Sequence, residues 1–111
     1  MDKKTQGIAE GVRKNLGAAK IRLVKKEVDD RMGWGVYMFE TLHNVQEKDQ
    51  FGNTLREIAS NRYVTVDLRP QNLGSGGTYT SQNSRESRKV AEDRYDHAVG
   101  QMKKYRERGH L

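Results

Sequence analysis

His43 is the first candidate for a catalytic residue in this sequence. It could act as a base, and Thr41 or Ser60 could supply a nucleophilic hydroxyl. No second group stands at a spacing that defines a catalytic pair, and no glycine elbow accompanies either hydroxyl. We therefore expect no catalytic residue and a protein that is not an enzyme.

His97 has carboxylates close by that could act as metal ligands. It follows Asp93 by one helical turn, with Glu92 and Asp96 beside it. Zinc sites in proteins need further histidine or cysteine ligands at suitable spacings, and this chain has no cysteine. We interpret the group as solvated surface charges and expect neither a metal nor a cofactor.

A glycine-rich stretch, Gly-Ser-Gly-Gly-Thr at residues 74–78, raises the possibility of phosphate binding through backbone N–H groups. It lacks the lysine and hydroxyl spacing of a nucleotide-binding P-loop, and the next helix begins several residues later. The composition favours a flexible connection instead. Tyr79, just beyond it, is a candidate for docking on a partner.

The net charge of +6 is concentrated at the N-terminus. Residues 1–26 hold eight basic and two acidic side chains, which accounts for the whole excess, whereas residues 27–84 are acidic and residues 85–111 are basic. A basic segment can bind a phosphate backbone or an acidic protein face, or can simply be solvated. The candidate contact residues are Lys14, Lys20, Arg22, Lys25, Lys26, Lys103, Lys104 and Arg106.

The longest periodic pattern lies near the C-terminus and predicts a helix. Asn83 and Glu86 are spaced as an N-cap and its capping-box partner, and Gly109 suits a C-terminal stop. An apolar stripe with alternating spacings of four and three runs along one face. Together with the single tryptophan, which is either a core anchor or a contact residue, it forms a candidate protein interface: Ala91, Tyr95, Ala98, Met102, Tyr105 and Trp34.

Alternating polar and apolar residues predict the strands that this helix would cover. We expect an edge strand over residues 19–28, after a helical or mobile arm that ends at Gly17. Residues 36–45 fit either a strand or a helix, and residues 46–53 resemble a hairpin tip. The clearest strand is 62–68, buried on one face.

The predicted fold is therefore α+β: a small antiparallel β-meander of two to three strands, a long amphipathic C-terminal helix and a basic, partly helical N-terminal arm. The divisions are a basic arm at 1–18, a β-rich core at 19–70, a Gly/Ser-rich loop at 71–83 and the helix at 84–108.

Leucine, isoleucine, valine and phenylalanine make up only 21 of the 111 residues, 19%, near the level at which chains fail to bury enough apolar surface. We therefore expect a structural or interaction protein, a small subunit of a homo- or hetero-assembly such as a viral particle or a multi-subunit complex. It would attach through the apolar stripe of the C-terminal helix and through the basic N-terminal arm. The alternative is an accessory or regulatory protein that binds the nucleic-acid backbone. We expect no membrane contact and no small-molecule substrate, and a location in the cytoplasm or in a virion.

Overall fold

The part of the chain that the structure describes is an α+β fold with one antiparallel sheet between two helices. The computed structural model describes residues 1–81 and 83–108, apart from the side chain at position 84. The elements are α1 (Lys3–Leu16), β1 (Lys20–Asp29), β2 (Trp34–Lys48), β3 (Thr54–Leu68), a 3₁₀ turn (Gln71–Leu73), β4 (Gly77–Thr80) and α2 (Ser84–Glu107). The four strands lie in the order β1-β2-β3-β4, each antiparallel to its neighbour.

The sheet thus has four strands rather than the two or three expected from sequence. The additional strand, β4, comes from the stretch interpreted as a flexible connection, and it pairs with β3 from Val64 to Asp67. Two glycines allow the β4 backbone to lie this close to β3. Gly74 has a φ of 111°, which disfavours any side chain, and a Cβ at Gly76 would overlap the backbone oxygen of Asp67.

Residues 36–45, for which the pattern fitted two structures, are part of strand β2. Side chains of a strand alternate between its faces, and from Trp34 to Phe39 both faces are buried. Trp34 and Met38 belong to the core cluster against α2, whereas Tyr37 and Phe39 belong to the cluster against α1. Burial on both faces obscured the period-two pattern and produced the apparent fit to a helix.

Helix α2 covers one face of the sheet, as the sequence predicted. The Asn83 side chain caps it by accepting a hydrogen bond from the backbone N–H of Arg85 at 3.0 Å. Its apolar stripe packs on Trp34, Val36 and Met38. The predicted stop at Gly109 lies outside the described residues.

Helix α1 covers the other face, so the sheet is buried on two sides rather than one. Asp2 caps the helix by accepting from the Thr5 N–H at 2.7 Å, and Gly17 ends it with a φ of 65°. Lys26 on β1 reaches Asp2 at 2.5 Å, and this hydrogen bond holds the pKa of the Asp2 carboxyl well below its usual range. The basic arm is therefore an ordered helix fixed to the sheet. Neither α1 nor α2, as described, combines the length and apolar content needed to cross a membrane.

Candidate interaction surface and polar pocket

Strands β2 and β3 continue well beyond the rest of the sheet. They pair from Gly35–Leu68 to Lys48–Thr54, whereas β1 accompanies β2 only as far as Leu42 and β4 accompanies β3 only from Val64. We refer to residues 43–61 as the hairpin extension. It contributes to a maximum dimension of 61 Å, against 27 and 20 Å in the other directions. Both of its strands have outer edges that no described residue pairs.

The tip of the hairpin extension is an ordered turn. The Asp49 carboxylate accepts hydrogen bonds from the backbone N–H groups of Phe51 and Asn53, both at 2.9 Å. Gly52 follows with a φ of 81°, which a glycine adopts without strain. The turn therefore fixes the backbone of Phe51 at the tip of the hairpin extension.

The hairpin extension exposes apolar side chains to solvent. Of the seven large hydrophobic residues exposed in the described part of the chain, four lie here: Val45, Phe51, Leu55 and Ile58. Phe51 is 79% exposed and Leu55 63%. Val45 and Ile58 are paired directly across the strands, on the face that α1 covers further along the sheet. Neither helix covers these four side chains.

A polar pocket lies where the end of β3, the glycine-rich loop, β4 and α2 meet. We call it the corner pocket. Its volume is about 240 Å³. Its polar lining includes Asp67, Arg69, Ser75, Tyr79, Arg94, His97, Gln101 and Tyr105. The pocket exists because β4 brings the loop against α2, so the unpredicted strand also builds this site.

A buried ion pair forms the floor of the corner pocket. The side chains of Asp67 and Arg69 are 2% and 6% exposed and form a salt bridge. The Trp34 indole N–H donates to Asp67 at 2.8 Å, and the Arg69 guanidinium lies over the Trp34 ring, 4.1 Å from its centroid. Arg69 also donates to the Gln101 side-chain oxygen at 2.9 Å. The Asp67 carboxylate therefore already has its ion-pair and hydrogen-bond partners within the chain.

The basic residues predicted to bind a phosphate backbone are placed in two different ways. Arg22 pairs with Glu40 at 3.2 Å, Lys25 lies over the Tyr95 ring, and Lys26 pairs with Asp2. Arg106 bonds Asp29 at 2.8 Å. The other four have no salt bridge to a described residue and are exposed: Lys14, Lys20, Lys103 and Lys104.

The apolar residues predicted as a protein interface lie inside the chain's own core. Trp34 and Ala91 are fully buried, and Tyr95, Ala98 and Met102 are nearly so. Tyr105 is partly buried and contacts the Trp34 ring edge-on, with centroids 5.7 Å apart. A partner could not contact this stripe without displacing α2 from the sheet.

His43 lies on the sheet face near the end of α1, at the base of the hairpin extension. The Thr41 hydroxyl donates to the Arg62 backbone oxygen at 3.2 Å and lies within hydrogen-bonding distance of Nε2 of His43, at 2.9 Å. Burial, together with the nearby Arg62 charge, lowers the pKa of His43. The hydroxyl is thus used in holding the two strands together.

No group of three or more metal-ligating side chains occurs in the described ranges 1–81 and 83–108. In comparisons with known proteins, no family model, curated sequence or solved structure matches this chain.

Proposed function

We propose that this protein is a structural subunit that joins an assembly by inserting its hairpin extension into a neighbouring subunit. The observation that supports this most directly is the hairpin extension itself. A two-stranded hairpin is marginally stable in water, yet this one carries four exposed apolar residues and lacks cover from either helix. Contact with a partner would bury those side chains.

The contact would combine two kinds of interaction. The open strand edges can add a strand from the partner through backbone hydrogen bonds. Phe51, whose backbone is fixed by the Asp49 turn, would insert its exposed ring into an apolar pocket and act as the anchor of the interface. The attachment surface is then the hairpin extension, not the α2 stripe, because the stripe is occupied by the sheet. We place the assembly in the cytoplasm or in a viral particle.

The mass of the native particle tests this function. We expect the purified chain, or the complex recovered with it, to have a mass well above that of one 12.8 kDa chain. Phe51→Ser combined with Leu55→Ser should shift the mass toward the monomer. Leu68→Ser, an exposed apolar position at the other end of β3, is the matched control and should leave the mass unchanged. A monomer at every concentration, with no partner recovered, would refute the proposal.

A second candidate function, binding to a nucleic-acid backbone, is favoured by the exposed lysines without ion pairs. Lys14 and Lys20 are the two in the most basic part of the chain. Deleting residues 1–26 would remove α1 and most of β1, so Lys14→Gln with Lys20→Gln is the cleaner test. Binding should weaken steeply with salt, and the double variant should reduce that dependence, whereas Lys48→Gln should not. Affinity indifferent to salt would exclude this function.

A further inference from the structure

The corner pocket has an excess of positive charge once the ion pair within its lining is taken into account. Asp67 is the acidic residue of the lining, and Arg69 together with Trp34 satisfies its carboxylate. Arg94 makes no salt bridge with any described residue; its guanidinium lies over the Tyr79 ring, 4.9 Å from the centroid. The lining therefore carries one positive charge that no acid in the pocket matches.

Other polar groups of the lining also favour a ligand that accepts hydrogen bonds. Because the Gln101 oxygen accepts from Arg69, its amide nitrogen has two N–H donors left to direct elsewhere. Ser75 contributes a hydroxyl from the glycine-rich loop, and His97 lines the pocket one helical turn from Arg94. Donors thus come from two elements that the chain brings together only through β4.

We propose that the corner pocket binds the oxyanion group of a small molecule, a phosphate or a carboxylate, through Arg94, Gln101 and Ser75. A guanidinium forms paired hydrogen bonds with either group, and the contact between Arg94 and the Tyr79 ring keeps this guanidinium at the pocket. Arg69 acts as a positioning residue, since it orients the Gln101 amide without facing the ligand as a free cation. The pocket volume of about 240 Å³ suits a compact ligand.

The proposal is tested with the full chain by NMR titration with inorganic phosphate and, separately, with acetate, each against sodium chloride at equal ionic strength. We expect saturable shifts at the backbone N–H groups of residues 74 and 75 and at the Gln101 side-chain amide. Saturation by phosphate or by acetate identifies which oxyanion the pocket prefers. Absence of saturable shifts with both would overturn the proposal.

Two variants separate the pocket from general charge screening. Arg94→Gln should weaken the apparent affinity at least fivefold, because it removes the unmatched charge. Arg85→Gln is the matched control: it removes the same residue type from an exposed position on α2 that does not line the pocket. Equal effects of the two variants, or shifts centred on Lys14 and Lys20, would mean nonspecific attraction and would contradict the proposal. Association through the hairpin extension is measured independently and is not affected by either outcome.

Discussion

The side chains of Asp67 and Arg69 are both charged and almost fully buried, so each needs the other to compensate its charge. Removing one member of a buried ion pair leaves the other charge without compensation, which costs about 3 to 5 kcal/mol. We expect Asp67→Asn and Arg69→Met each to lower the free energy of unfolding by about 3 kcal/mol. The double variant should lose clearly less than the sum. Urea unfolding of all four proteins measures this, and additive losses would show that the pair is not coupled.

His43 should make stability depend on pH. Its pKa is lower in the folded chain than in the unfolded one, through burial and then through the Arg62 charge, so the unfolded state takes up the proton first as the pH falls. Its stabilising contribution is present above the unfolded pKa of about 6.5 and is lost below it. We expect the wild type to lose more unfolding free energy than His43→Gln between pH 8 and pH 5.5. Parallel pH profiles for the two proteins would contradict this.

Among the residues that line the corner pocket, sequence patterns point to the glycine-rich loop, Tyr79, His97 and Tyr105, but not to Arg69, Arg94 or Gln101. His97 stands out in the sequence for its acidic neighbours, none of which lines the corner pocket. Arg94 and Gln101 lie beside the apolar stripe of α2, where charged and amide residues are ordinary helix surface. They face a pocket only because β4 lies next to them. A residue becomes part of a site through its tertiary neighbours, and these were set by a strand that the sequence did not reveal.

At the scale of elements, α1 covers one face of the sheet although its sequence does not favour a stable helix. It contains Gly7 and Gly11, and a Cβ at either position would meet no atom within 4 Å. Glycine inside a helix costs about 0.5–1 kcal/mol relative to alanine. We expect Gly7→Ala and Gly11→Ala each to raise the free energy of unfolding by about that amount, as measured by urea unfolding.

Gly76→Ala is the contrasting variant, because its Cβ would overlap the Asp67 backbone and separate β4 from β3. It should destabilise the chain by about 1–3 kcal/mol. Stabilisation by Gly76→Ala, or loss of stability on either α1 substitution, would contradict these assignments of glycine function.

The elements that sequence predicted well are those with a single strong pattern. The strand over 62–68, the edge strand near 19–28, the hairpin tip and α2 with its Asn83 cap all appear in the structure. The sequence prediction was uncertain or wrong where glycines interrupt the pattern of polar and apolar residues. In α1 the glycines made the helix uncertain, and in residues 74–77 they concealed β4, because glycine marks close backbone contact and flexible chain alike.

At the scale of the whole molecule, the buried apolar residues of the described chain form two small clusters, one under each helix. Neither cluster includes a residue of the hairpin extension. We expect its backbone amides to exchange with solvent much faster than those of residues 35–39 and 64–66, which lie between the helices. Addition of the partner, or a higher concentration if the partner is a second copy, should slow exchange in 43–61 alone. Full protection in an isolated monomer would show that the extension needs no partner.

The same division of the molecule predicts that its body folds without the extension. His43 and Ser60 are paired across β2 and β3, so an Asn-Gly turn can replace residues 44–59 and join the strands there. Both core clusters lie outside the deleted segment, and we expect the shortened chain to unfold cooperatively and within about 1–2 kcal/mol of the intact chain. It should at the same time be a monomer by native mass measurement. If the shortened chain still assembled, the contact would have to lie on the remaining body of the molecule instead. If it failed to fold, the extension would be part of the core and not an attachment device.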